Sequence, residues 1–124
     1  MRTDGPPRIL VVDDEPAVRH LLVRLLETEG YEVVAVNDGA AGLAAAKTAG
    51  RPYDLVITNN CMPRMSGAEL VAHLQRLYPG LPILHLDDLS RPQHTGENSI
   101  PTLFKPFSLD ALSDAVRRLL ENPA

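Results

Sequence analysis

The sequence is poor in cysteine. Cys61 is the only cysteine among the 124 residues. One thiol cannot form a disulfide within the chain or supply a cysteine-rich metal site. This cysteine usage is typical of a reducing compartment, and we expect a cytoplasmic protein.

Positive charge is also scarce, and long apolar runs are absent. Twelve basic residues face sixteen acidic ones, which gives a formal net charge of −4. Nucleic acids and anionic membranes attract clustered positive charge, so neither is an expected partner. No stretch approaches the roughly 20 apolar residues that span a bilayer, and the start, MRTDGPPRIL, lacks the apolar segment of a signal peptide. The expected partners are therefore proteins or small molecules.

The length suits one compact domain, residues 1–124, with residues 1–7 and 122–124 as loose ends. Five short, continuously apolar runs are predicted strands, because such runs suit strands that are covered on both faces. The runs are Ile9–Val12, Val33–Val36, Leu55–Ile57, Ile83–Leu86 and Leu103–Phe104.

Helical patterns lie between these runs. The clearest helix begins at Pro16 and ends before Gly30. Three further helices are predicted from their capping residues, which are Asp38 for a helix through about Lys47, Ser66 with Glu69 in a capping box, and Ser108.

Alternating strands and helices predict an α/β fold, an open, doubly wound (βα)5 sheet of five parallel strands with helices on both faces. We predict the strand order 2-1-3-4-5. The stretch Leu89–Ile100 contains proline, glycine and few apolar residues, so the fourth helix is expected to be shortened or irregular.

Polar residues follow the predicted strands, where open α/β sheets bind their ligands. Oxygen ligands close together suit Mg²⁺, and a neighbouring lysine suits a phosphoryl oxygen. These features predict a metal-assisted phosphoryl site built from Asp13, Asp14, Asn59, Asp87, Asp88 and Lys105.

Three segments, ILVVDDEP, DLVITNNCMPRMSG and LFKPF, resemble the signatures of the response-regulator receiver domain of two-component signalling. The resemblance covers nearly the whole chain and implies a flavodoxin-like receiver fold. It also implies a phosphoacceptor aspartate three residues before the methionine of the MP turn. This chain has Asn59 there, and an amide oxygen is a poor nucleophile at neutral pH. We therefore expect a receiver that is not phosphorylated and is not an enzyme.

The resemblance also implies a magnesium site. Asp14 would bind the metal directly, Asp13 largely through water, Cys61 through its backbone carbonyl, and Asn59 through its amide oxygen. Loss of one anionic ligand is expected to weaken Mg²⁺ binding.

Two further positions depart from the family pattern. Asp87 stands where receivers usually carry serine or threonine, and Thr102 stands where they usually carry an aromatic switch residue. We expect Asp87 to form an ion pair with Lys105.

The resemblance implies a histidine kinase, a phosphotransfer protein or another receiver as partner, and a homodimer is left open. Three explanations of Asn59 also stay open: a natural pseudo-receiver, an engineered Asp-to-Asn form, or an acceptor relocated to Asp87.

Simpler interpretations stand beside these. Asp13 and Asp14 could cap the first helix, and Asp87 could cap a loop. From other classes, a phosphohydrolase of the haloacid-dehalogenase type would use Asp13, although its D-x-D pattern is missing. In a flavin-binding electron carrier, the acidic loop would repel the cofactor phosphate.

Overall fold

The computed structural model describes residues 5–50, 52–59, 65–88 and 101–121, with only the main chain described at Asp88 and Lys105. Strands and helices alternate along it up to the fourth strand. The strands are β1 (Arg8–Val12), β2 (Glu32–Val36), β3 (Leu55–Asn59), β4 (Ile83–Asp88) and β5 (Thr102–Lys105). The helices are α1 (Pro16–Thr28), α2 (Gly39–Thr48), α3 (Gly67–Leu77) and α4 (Leu109–Glu121).

The five strands form one parallel sheet in the order β2-β1-β3-β4-β5, which confirms the predicted order. The order reverses between β1 and β3, so the carboxyl ends of these two strands border the crevice where such sheets bind ligands. One row of paired residues crosses the whole sheet and changes from apolar to polar along it. The row consists of Val36, Val12, Thr58, His85 and Thr102, and we call its last three residues the polar row.

Helices cover both faces of the sheet. Because successive strand residues point to opposite faces, β1, β3 and β4 each contribute to both apolar layers. Helices α1 and α4 pack on the face that carries Ile9, Val11, Leu55, Ile57, Leu84 and Leu86. Helices α2 and α3 pack on the face that carries Leu10, Val12, Val56 and Ile83. A slip of one residue would turn every side chain to the opposite face, so the register decides which apolar layer each residue joins.

Local capping sets the starts of three helices as predicted. The Asp38 carboxylate accepts a hydrogen bond from the Ala41 N–H at 2.7 Å. Ser66 and Glu69 form a reciprocal capping box at 3.0 and 3.1 Å. The Ser108 hydroxyl accepts from the first turn of α4 at 3.0 Å. Each cap satisfies a backbone N–H group that has no partner within its own helix.

The start of α1 differs from the capping alternative. Glu15 is the N-cap residue of α1, and its side chain makes no capping hydrogen bond. The Asp13 carboxylate instead accepts from the Glu15 N–H at 2.9 Å, which lies outside the helix. The interpretation of Asp13 or Asp14 as the cap of α1 was therefore wrong, because the N-cap position falls on Glu15, one residue after Asp14.

Three strands extend past the carboxyl ends of their apolar runs. The last residues of β3, β4 and β5 include Asn59, Asp87, Asp88 and Lys105, which do not follow these strands, because the parallel ladder continues through the polar positions. The predicted irregular fourth helix lies outside the described residues. Within the described part of the chain, no helix combines the length and apolar character needed to cross a membrane.

Candidate functional site

The end of β1 is held by main-chain contacts. Asp13 is fully buried, and its N–H donates to the Val36 carbonyl at 3.1 Å. Arg19, one turn into α1, donates from Nη1 to the Asp13 carbonyl at 2.9 Å. Together with the bond from the Glu15 N–H to the Asp13 carboxylate, these contacts fix the loop that carries Asp14.

Asn59 ends β3 beside this loop. Its side chain is almost buried, at 7% exposure, and its strand position pairs with Leu86. The Asn59 Nδ2 donates to Asp14 Oδ1 at 3.1 Å. Because an ionised carboxylate only accepts hydrogen bonds, the nitrogen of the amide must be the atom that faces Asp14. The structure thus brings Asp14 and Asn59 into direct contact.

Asp87 lies near the end of β4, one residue beyond the position that pairs with Asn59. It is buried, at 2% exposure, and it pairs in the ladder with Phe104, which is 43% exposed. Asp88 pairs with Lys105 in the same ladder. The Lys105 side chain lies outside the description, so the Asp87–Lys105 ion pair stays a prediction.

Thr102, the position of the usual aromatic residue, is half-buried on β5 and pairs with His85 of β4. His85 is 2% exposed. In this pair of residues the buried ring is therefore the imidazole of His85 on β4, and β5 contributes the Thr102 side chain. Cys61, whose carbonyl the resemblance assigns to a metal, lies outside the described residues.

Sequence reasoning missed two residues. Arg19 stands six residues after Asp13. With this spacing, a side chain in the first turn of a helix can reach back to the end of the preceding strand, so the spacing could have suggested the contact. His85 lies inside the apolar run Ile83–Leu86 and belongs to none of the three signature segments. Its pairing with Thr102 depends on the register of β4 and β5, for which the sequence gives no local signal.

Where the β1–α1 loop meets the end of β3, the described residues offer the carboxylates of Asp13 and Asp14 and the carboxamide of Asn59. Across residues 5–50, 52–59, 65–88 and 101–121, no three acidic, histidine or cysteine side chains gather into a metal-binding group. Asp13 and Asp14 supply negative charge, and Asn59 supplies an NH₂ donor group and an acceptor oxygen. Such a group can bind a cation through oxygen, but Asn59 does not give it the carboxylate nucleophile of an acyl-phosphate site.

The family model and the relatives that match this chain indicate the same family. The family model described as the response regulator receiver domain matches residues 9–117. The response regulator receiver protein CpdR of Brucella abortus is 30% identical over 117 residues, which are 91% of this chain and 96% of CpdR. The transcriptional regulatory protein GlrR of Escherichia coli is 35% identical over 96% of this chain, but over only 27% of GlrR.

A solved structure supports the same fold. The response regulator protein TrrA of Thermotoga maritima, in complex with Mg²⁺–BeF, superposes with a TM-score of 0.82 and is 32% identical, with 91% of this chain and 98% of that chain covered. The chain spans about a quarter to a half of the length of the first curated relatives that it matches, 27% of GlrR and 52% of TcrX of Mycobacterium tuberculosis.

These matches agree with the strand order and with the three signature segments. They do not favour the phosphohydrolase alternative that would use Asp13. On the family model and the relative matched over nearly its whole length, the chain belongs to the response regulator receiver domain family of two-component signalling.

Proposed function

We propose that this receiver domain is not phosphorylated, because Asn59 occupies the phosphoacceptor position, and that it acts in a phosphorelay by binding other proteins. The observation that carries the proposal is the 3.1 Å contact between Asn59 Nδ2 and Asp14 Oδ1 at the end of β3. The contact supports the proposal because an amide here meets the acidic loop, and the family resemblance implies a carboxylate at this residue. The proposal takes residues 1–124 as one non-enzymatic signalling domain.

The chemistry of the amide supports this assignment. An acyl phosphate forms when a carboxylate oxygen attacks phosphorus, and that oxygen carries a negative charge. The lone pair of an amide is delocalised, and the Asn59 nitrogen is engaged with Asp14. Asn59 therefore has no charged oxygen with which to attack.

Asp87 adds an electrostatic obstacle. It is a buried carboxylate near the end of β4, where receivers usually carry a hydroxyl group. A carboxylate repels an incoming phosphoryl dianion unless a cation offsets its charge. We assign that cation to Lys105, and we assign to Thr102 the loss of the usual aromatic switch.

The residues present fit a weakened magnesium site. Mg²⁺ is commonly held by one or two carboxylates, with water completing its octahedral shell. Asp13 and Asp14 would supply the carboxylates, and the Asn59 amide oxygen and the Cys61 carbonyl would complete the protein ligands. When bound, Mg²⁺ would offset the charge of phosphoryl oxygens that approach the site. Asn59 brings no negative charge, so binding should be weaker than in a receiver with aspartate at this position.

We propose a histidine kinase, a phosphotransfer protein or another receiver as the partner, in the cytoplasm. With a formal net charge of −4, the domain offers no electrostatic basis for binding nucleic acid or an anionic membrane. A homodimer is one form that these contacts between proteins can take.

The test is intact-mass analysis after incubation with a small-molecule phosphodonor and Mg²⁺. The unaltered chain should gain no phosphate-sized mass, and the Asn59→Asp variant should gain one. Asn37→Asp is the matched control, since it adds the same charge at an exposed position directly after β2 and should gain none.

A phosphate-sized gain on the unaltered chain, at Asp87 or any other residue, would overturn the proposal. If Asn59→Asp gains nothing but the Asn59→Asp/Asp87→Thr double variant does, Asp87 is a second block, as proposed. If neither variant gains phosphate, Asn59 is not what prevents the reaction.

A further inference from the structure

We infer that the Asn59 amide has two orientations that exclude one another: nitrogen towards Asp14 without a cation, and oxygen towards Asp14 when Mg²⁺ binds. This inference rests on the proposed magnesium site. It adds that Mg²⁺ binding here requires the hydrogen bond between Asn59 and Asp14 to break, so the amide competes with the cation.

The first orientation is the one observed. Asn59 Nδ2 donates to Asp14 Oδ1 at 3.1 Å. The proton of this hydrogen bond lies between the two side chains, so the Asp14 carboxylate accepts from a neutral amide. In this orientation the amide offers a cation beside Asp14 no lone pair, because the nitrogen lone pair is delocalised into the carbonyl.

The distance suits the second orientation equally well. Ligand oxygens of octahedral Mg²⁺ lie about 2.1 Å from the metal, so two adjacent oxygens stand about 3.0 Å apart. The observed separation of Nδ2 and Oδ1 is 3.1 Å. Exchanging the amide nitrogen for its oxygen would therefore give the spacing of two adjacent magnesium ligands with little movement of heavy atoms. Without a cation, the same exchange would place two oxygens against each other.

The surroundings leave the amide torsion as the easiest movement. The Asn59 main chain is held in β3 by its ladder with β4. The β1–α1 loop is held by Arg19 and by the Glu15 N–H. The terminal torsion of an asparagine side chain is broad and roughly two-fold, so a half-turn of the amide exchanges the positions of its nitrogen and its oxygen.

The experiment is a Mg²⁺ titration of the full chain, followed by NMR of the side-chain amide groups with ¹⁵N labelling. Without Mg²⁺, the Asn59 NH₂ pair should be shifted from ordinary asparagine values and protected from solvent exchange. Asp14→Ala should remove that shift, and its spectrum reports at once whether the variant is folded. Added Mg²⁺ should move the Asn59 pair and end its protection, while the NH₂ pair of Gln75 on α3 stays unchanged.

The magnesium affinity of Asn59→Asp supplies a second readout. A carboxylate presents oxygen in both orientations and so needs no exchange. Its affinity should exceed that of the unaltered chain by at least roughly tenfold, since even residues that only support metal ligands typically change affinity 10- to 100-fold. An equal affinity in the two proteins would overturn the inference.

Two titration results would also overturn it. One is saturable Mg²⁺ binding seen at the Asp13 and Asp14 backbone amides with the Asn59 NH₂ pair unmoved, since the cation would then bind without the exchange. The other is no Mg²⁺ binding at any concentration. Neither result bears on phosphorylation, which the mass measurement tests separately.

Discussion

Replacing Gly39 with alanine should destabilise the domain, because α2 begins in close contact with the segment that follows β3. A Cβ atom at Gly39 would lie 2.6 Å from the Met65 carbonyl oxygen and 2.9 Å from the Met65 Cβ. A main-chain oxygen cannot turn away as the end of a side chain can. Either α2 or the start of the segment leading into α3 must move, and that movement costs packing on the α2/α3 face.

The expected size follows from two opposing effects. Added atoms in a well-packed region cost about 1–3 kcal/mol of unfolding free energy. Alanine returns up to about 1 kcal/mol relative to glycine in a helix interior, and less at a first helical residue such as Gly39. We expect a net loss of about 1–2 kcal/mol. For a domain of this size, that loss lowers the urea midpoint by roughly 0.5–1 M without a change in slope.

Two other glycines provide matched controls. At Gly42 an added Cβ meets only side-chain atoms, at 2.9 Å from Val12 and 3.4 Å from Leu70, so alanine there should cost less. At Gly80 nothing lies within 4 Å, and alanine should be neutral or stabilise by about 0.4–1 kcal/mol. If Gly39→Ala unfolds at the same urea concentration as Gly80→Ala, the close approach of α2 to Met65 is not a real constraint.

Two further predictions concern a helix cap and a buried phenol. Ser66→Ala removes one half of the capping box of α3 and should cost about 1 kcal/mol in urea unfolding, whereas no change would show that the box adds nothing to stability. Burial, and next the nearby Glu29 carboxylate, raise the pKa of Tyr31 above 10.0. The unfolded phenol therefore ionises first, and the stability due to Tyr31 is complete below about pH 10 and falls as the pH rises towards the folded pKa. Tyr31→Phe should lose less stability than the unaltered chain as the pH rises above 10.0, and parallel losses in the two proteins would exclude this contribution.

The sequence allowed the fold to be predicted wherever the signal was local or periodic. The apolar runs and the caps at Asp38, Ser66 and Ser108 each depend on a few neighbouring residues. The contact between Asp14 and Asn59 also has a simple source, since β1 and β3 are parallel neighbours and their carboxyl ends meet at one edge of the sheet.

The remaining features depended on partners distant in sequence. The conformation of the β1–α1 loop could not be predicted. The Asp13 carboxylate accepts from the Glu15 N–H, and the Asp13 carbonyl accepts from Arg19. Neither Asp13 nor Asp14 caps α1. The ends of β3 and β4 could not be predicted from hydropathy. The ladder continues through the polar residues Asn59 and Asp87 because its hydrogen bonds join backbone groups and do not depend on the side chains. The pairing of His85 with Thr102 required the register between two strands.

The polar row on the α2/α3 face has a further consequence. Where β3, β4 and β5 present Thr58, His85 and Thr102 side by side, this face offers hydroxyl and imidazole groups at the level where β1 and β2 offer two valines. An apolar helix would gain little free energy by packing on that part of the sheet. A segment with hydrogen-bond donors and acceptors that match these hydroxyl and imidazole groups would gain more.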